Sequence, residues 1–224
     1  MMKKVLFVAA IGVAAVAAKA DSIVSYTNTI PSTLTDWTNV VSFTKFNPAL
    51  GTLQSVYVQV GSAFSTTLGV TNTGTSASSG SAQTTLTLNL NDTTGVFGYG
   101  TGVQSLGNYS SSSYGYSLSA GQGTASGLIN AHNNDLADNG TTTDSTILSD
   151  FTGTGTVDET AWTFTQTFIG NSGGNTSSSQ VTDANAKFII TYDYIVPAPE
   201  PSTFAMIGSG LAGLGLMIRR RSSK

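Results

Sequence analysis

His132 is the one side chain in this sequence that could act as a general base near neutral pH without a shifted pKa. It has no obvious collaborators. The chain holds a single histidine and no cysteine, so thiol and zinc-thiolate chemistry are excluded. A Ser-His-Asp site needs a serine on a sharp turn and a carboxylate behind the imidazole. His132 sits instead in NAHNNDLADNG, residues 130–140, a polar stretch with no nucleophile elbow. The expectation is an exposed loop imidazole.

The same stretch invites a calcium reading. Asp135, Asp138, Asn139, Gly140 and Asp144 would place hard oxygens around a glycine turn, which is the ligand chemistry of Ca²⁺. Setting Gly140 on the glycine of an EF-hand loop puts Asp135 first, but Ala137 third and Thr146 last. Both of those ligand positions fail, so a solvated acidic loop with weak or no calcium binding is expected. Asp158 and Glu159 are neighbours in the chain and would point to opposite faces of a strand, not across a cleft as glycoside hydrolysis requires. GYGTG (98–102) and GQGTASG (121–127) miss the spacing of a dinucleotide loop, and no βαβ unit surrounds them. No catalytic residue, metal or cofactor is expected. Tyr99, Tyr109, Tyr114 and Tyr116 lie in a Gly/Ser-rich region where exposed rings could stack on sugars. The same amphipathic rings equally suit packing against a sheet.

Charge narrows the partners. Between residues 21 and 198 only Lys45 and Lys187 stand against eleven carboxylates, a net −9, because the other cations lie at the two ends. Nucleic acid and anionic lipid both need a cationic footprint, so neither is expected as a partner. Neutral glycans and divalent cations remain compatible.

The ends are addresses. Lys3 and Lys4 precede an apolar run over residues 5–18, and Ala18-Lys19-Ala20 supplies small residues at the −3 and −1 positions of a signal-peptidase cut. Residues 1–20 therefore read as a secretory signal, with Asp21 opening the mature chain. At the other end, residues 203–218 are sixteen residues without charge. As a helix they would reach roughly 24 Å, slightly less than a hydrocarbon core. Arg219, Arg220 and Arg221 supply a stop that holds the last residues in the cytoplasm, which places the body on the opposite side. Pro199, Glu200 and Pro201 come just before the span. Two prolines fix φ on either side of one carboxylate and bias the residues before them toward extended geometry, so the segment stays accessible.

Pro-Glu-Pro, a short Gly-rich span and a terminal Arg cluster, in that order, resemble the PEP-CTERM sorting signal of Gram-negative bacteria. The resemblance implies a tail, residues 197–224, that holds the protein transiently at the inner membrane. An exosortase-type processing enzyme would then recognise Pro199, Glu200 and Pro201 and pass the body to the cell surface or the extracellular matrix. Its usual setting is a cell that makes exopolysaccharide or biofilm.

The body, residues 21–196, is of single-domain size. Period-two alternation marks strands at 53–60 (LQSVYVQV), 84–91 (TTLTLNLN), 161–168 (AWTFTQTF) and 187–195 (KFIITYDYI). Weaker signals cover 23–29, 40–45, 63–71, 103–107, 114–118 and 153–157. One apolar face per strand would be buried, leaving the hydroxyl-rich face wet. Residues 71–81 and 170–179 are turn-rich, and the one helix expected in the body lies over 145–150. Many short strands with almost no helix predict an all-β, antiparallel β-sandwich, jelly-roll-like, flanked by the signal and C-terminal transmembrane helices. FNPALGTLQSVYVQVGSAF (46–64) and FTGTGTVDETAWTFTQT (151–167), with the closing FIITYDYIVP, resemble the choice-of-anchor E domain. That is a secreted bacterial β-rich domain often followed by a Pro-Glu-Pro tail. The expected function is that of a non-enzymatic surface or matrix protein; the alternative is a carbohydrate-binding module recognising the exopolysaccharide.

Overall fold

The computed structural model describes residues 20–98, 100–132, 136–197 and 207–215. Eleven strands run in chain order: β1 (Ala20–Leu34), β2 (Thr38–Thr44), β3 (Thr52–Asn72), β4 (Ser78–Asp92), β5 (Gly102–Ser110), β6 (Tyr114–Leu118), β7 (Gly123–Ala125), β8 (Ile129–His132), β9 (Ala137–Thr142), β10 (Thr156–Ser172) and β11 (Thr176–Val196). One helix, α1 (Ser145–Asp150), precedes β10, where the sequence placed it. Asp144 caps it, accepting from Thr146 N at 2.8 Å, because first-turn amides have no partner within the helix.

Two antiparallel sheets result. The first orders β1, β11, β3, with the short β7, β8 and β9 pairing successive parts of the far edge of β3. The second orders β2, β10, β4, with β5 and β6 on the far edge of β4. Consecutive long strands therefore cross between sheets: β1 and β2, β3 and β4, β10 and β11 each divide between the two.

The two inner faces share one core. Val56, Val58, Val60, Phe188, Ile190 and Tyr192 of the first sheet meet Val41, Phe43, Leu88, Leu90 and Ala161 of the second. A smaller cluster of Leu68, Val70, Ala82, Tyr116 and Leu118 fills the other end. Polar inner residues join these clusters, each with a hydrogen-bond partner: Thr66 Oγ1 lies 2.8 Å from Thr182 Oγ1, and Ser62 Oγ donates to Asn185 O at 2.7 Å. No buried side-chain polar atom is orphaned among the described residues, as a core of this polarity requires.

The strands are longer than the sequence signals. The segments 53–60 and 63–71 are one 21-residue strand, β3, and 161–168 sits within the 17 residues of β10. The chain 123–142, where the sequence signals no strand, contributes three short strands because the free edge of β3 supplies unpaired backbone groups. On β10 the faces are also reversed from expectation. Val157, Ala161, Thr163 and Thr165 point inward, while Phe164 and Phe168 are 56% and 50% exposed. No bulge interrupts β10, so alternation carries the parity of Val157 and Ala161 through the whole strand. The inward threonines are held by hydrogen bonds: Thr165 N donates to Asp36 Oδ1 at 2.9 Å, and Thr167 Oγ1 donates to Gln180 Oε1.

Ala20 pairs with Val196, and Asp21 with Ile195. The start of the expected mature chain and the exit toward the tail therefore lie side by side. The hairpin between β10 and β11 is at the opposite end of the 21-residue β11, roughly 65 Å away at strand rise. Residues 207–215 are helical and exposed. Among the described residues no helix is long and apolar enough to cross a membrane. The rest of the expected span, with Arg219, Arg220, Arg221 and Pro199, Glu200, Pro201, lies outside the described residues, as does Ala18.

Candidate functional site

Two buried carboxylates are the nearest approach to an acid–base constellation. Asp92 ends β4 and Glu159 lies on the inner face of β10, while its neighbour Asp158 is exposed on the other face, as alternation required. Asp92 Oδ1 accepts from Gly95 N at 2.7 Å and Thr94 N at 3.0 Å, and its Oδ2 accepts from Phe97 N at 3.0 Å. Glu159 accepts from Thr93 N at 3.0 Å and Thr93 Oγ1 at 2.8 Å. Both carboxylates are occupied in folding the 93–97 loop over the core, where Val96 and Phe97 are buried. Glycoside hydrolysis would need them open to substrate and water. The arrangement is a loop clamp.

Burial pushes the Glu159 carboxyl above the usual glutamate range, against the lowering effect of its Thr93 bonds. The sign follows from linkage. A pKa higher folded than unfolded means the folded state binds the proton more tightly. The contribution is full below the unfolded pKa near about 4.3 and is lost as pH rises through the folded value. The melting temperature of Glu159→Gln is therefore expected to change less than the parent's as pH rises from about 4 to 7. Identical pH profiles in thermal melts would contradict this.

The other sequence-derived candidates are not gathered into one site. His132 ends β8, opposite Phe64. Gly140 is a strand residue opposite Val58 on β9, not the apex of a turn; a Cβ there would run into the Val96 carbonyl. Asp144 is committed to capping α1, and Asp135 lies outside the described residues. No group of three or more potential metal ligands occurs among the described residues.

Among the described residues, the candidate tyrosines pack against the buried clusters instead of standing free as a sugar platform. Tyr116, read from sequence as a possible stacking ring, is only 7% exposed and packs with Leu68 and Val70; its hydroxyl donates to Gly170 O at 3.2 Å. Glycine at position 80 on β4 makes room, since a Cβ there would meet both the Gly170 carbonyl and the Tyr116 hydroxyl. Tyr109 packs beside Phe64 and Leu86, and burial raises its phenol pKa. Tyr114 is half-buried, with its hydroxyl 2.7 Å from Thr124 Oγ1 and donating to Ala125 O at 3.0 Å. Tyr99 lies outside the described residues.

Exposed rings stand on a different element. The outer face of β10 presents Trp162, Phe164, Gln166 and Phe168. Register sets Asn89, Thr87, Thr85 and Gln83 of β4 directly beside them. Val40 on β2 and Val103 on β5, both exposed, flank the row that ends at Thr160 and Asn91. None of these residues is charged. Thr85, Thr87, Asn89 and Gln166 make no side-chain hydrogen bond among the described residues. An open cleft of about 590 Å³ between Leu53, Leu148 and Thr152 carries only apolar and hydroxyl groups and no titratable one.

Residues 197–221 match the PEP-CTERM protein-sorting motif. No curated protein matches the chain. Among solved structures, similarity is found to a chain of infectious bursal disease virus Gx strain, at 13% identity and TM-score 0.21, covering 81% of this chain and 42% of that one. A chain of Mud crab tombus-like virus matches at 9% identity and TM-score 0.21, over 92% of this chain and 94% of that one. This chain spans about two fifths of the former. Scores this low carry no argument about fold or function.

Proposed function

We propose that the chain is an exported, non-enzymatic protein whose β-body is held outside the inner membrane by its C-terminal tail. An exosortase-type enzyme then releases it to the cell surface or extracellular matrix. The observation that carries this reading is the sorting motif at 197–221, which begins directly after Val196 closes β11. The paired ends of β1 and β11 support it further: a body hung from one end projects its long axis away from the bilayer. Both buried carboxylates are spent on backbone amides, which supports a structural body over a hydrolase. The division of consecutive strands between sheets supports a jelly-roll reading, and the resemblance to the choice-of-anchor E domain belongs with it.

The absence of cysteine provides a clean topology test. In a host carrying an exosortase-type enzyme, Ser177→Cys is expected to react with a membrane-impermeant maleimide in intact spheroplasts. Ser223→Cys, on the still-tailed precursor, is expected to react only after permeabilisation. Labelling of Ser177→Cys solely after permeabilisation would overturn the reading.

A further inference from the structure

We propose that the outer face of the β2–β10–β4–β5 sheet, along Trp162, Phe164 and Phe168, binds an extended chain of neutral sugars. This goes beyond the reading of the body as an exported, non-enzymatic protein, and rests on that reading only in taking the face to bind rather than to catalyse.

Large aromatic side chains normally leave water. Here two phenylalanines are half exposed on a strand whose opposite face buries threonines. Exposed aromatics lined along one face of a strand are a candidate interaction surface, and their neighbours define the occupant. A pyranose ring has an apolar C–H face and a rim of hydroxyls, so it needs a flat apolar platform with uncharged donors and acceptors beside it. The rings supply the platform. Thr87, Asn89 and Gln166, with no side-chain partners of their own, supply the rim.

Spacing favours a polymer over a single sugar. Alternate residues on one strand are roughly 7 Å apart, so the rings form a line of about 20 Å from Trp162 to Phe168. Charge decides the class of polymer. No cation lies on this face, and the body between residues 21 and 198 carries two lysines against eleven carboxylates. Uronic acids, sulfated glycans and nucleic acid would be repelled. A second copy of the chain fits less well, because closing this face on itself would bury amide and hydroxyl groups between the rings without assured partners.

The test is affinity electrophoresis of the full chain in a polyoxyethylene detergent, which carries no sugar headgroup. The gels contain soluble starch, galactomannan, xyloglucan or mixed-linkage β-glucan, with an alginate gel as the anionic comparison. Retardation is expected in at least one neutral gel. The Phe164→Ala/Phe168→Ala variant should weaken it about tenfold or more, in line with loss of aromatic anchors. Val181→Ala, an exposed apolar residue on the other sheet, should leave it unchanged. Circular dichroism checks that the variants are folded. The proposal is overturned by retardation in alginate alone, by no retardation in any neutral gel, or by undiminished retardation of the double variant. Self-association that the double variant abolishes would assign the face to a second copy and also overturn it. Hydrolysis of a polymer would sink the non-enzymatic reading while leaving binding intact.

Discussion

Tyr192→Ala is expected to cost about 3–5 kcal/mol, the range for removing a buried aromatic. That is a large part of the ~5–15 kcal/mol that holds a typical domain folded. Tyr192 is fully buried at the centre of an aromatic group: its ring centroid is 6.1 Å from that of Tyr26, 5.9 Å from Phe46 and 6.4 Å from Phe151. Its hydroxyl donates to Thr44 O at 2.6 Å, tying β11 of one sheet to β2 of the other. Removing it opens a void against three rings and deletes a bond between sheets. A fall in melting temperature of about 6–20 °C should follow, at ~2–4 °C per kcal/mol for a body of this size. Tyr192→Phe keeps the packing and loses only the hydrogen bond, about 1 kcal/mol. Phe164→Ala should fall within about 0.5 kcal/mol of the parent, as surface substitutions do. Thermal melts in which Phe164→Ala is as damaging as Tyr192→Ala would show that β10 faces the other way.

The second large effect falls on delivery. Replacing Pro199, Glu200 and Pro201 together by alanine removes the two fixed φ angles and the single carboxylate between them. The polypeptide that follows is unchanged. Under the proposed sorting route, the cut fraction should drop from nearly all of the protein to essentially none, and the tailed form should accumulate in the membrane fraction. Release of the triple-alanine chain at the parent's rate, followed by immunoblot of fractions, would separate this motif from the release step.

How much of this was legible in sequence depends on where each signal lies. The alternation of Val56, Val58 and Val60, of Leu86, Leu88 and Leu90, and of Phe188, Ile190 and Tyr192 assigned strands and inner faces correctly, because in each an unbroken apolar row faces a side that mixes in polar residues. The 145–150 helix was readable as well. On β10 both sides carry a case for burial, aromatic on one and threonine on the other, and local hydrophobicity chose wrongly. The corrective signal was present: joining 153–157 to 161–168 as one uninterrupted strand puts Val157 and Ala161 in phase with the threonines. The gap between them holds Asp158, Glu159 and Thr160, polar residues that neither strand signal covers. Glu159 instead points inward, tolerated because Thr93 meets it. The short strands β7, β8 and β9 were invisible because their pairing is dictated by the edge of β3 and not by their own composition.

The candidate site divides the same way. A sorting tail is recognised by the order of its parts along the chain, so Pro199, Glu200 and Pro201 could be picked out without any fold. A sugar platform depends on which residues share a surface. Tyrosine in a Gly/Ser-rich setting pointed to Tyr116, which β6 turns into the core beside Leu68. The exposed rings lie two strands away, on β10.

The most direct test of the delivery route is mass spectrometry of the mature protein's native C-terminus, isolated from the surface or matrix of a host that carries an exosortase-type enzyme. The route predicts a chain ending close to Glu200, without residues 203–224, and joined there to whatever acceptor the processing enzyme supplies. An exported product that still ends at Lys224 would contradict it.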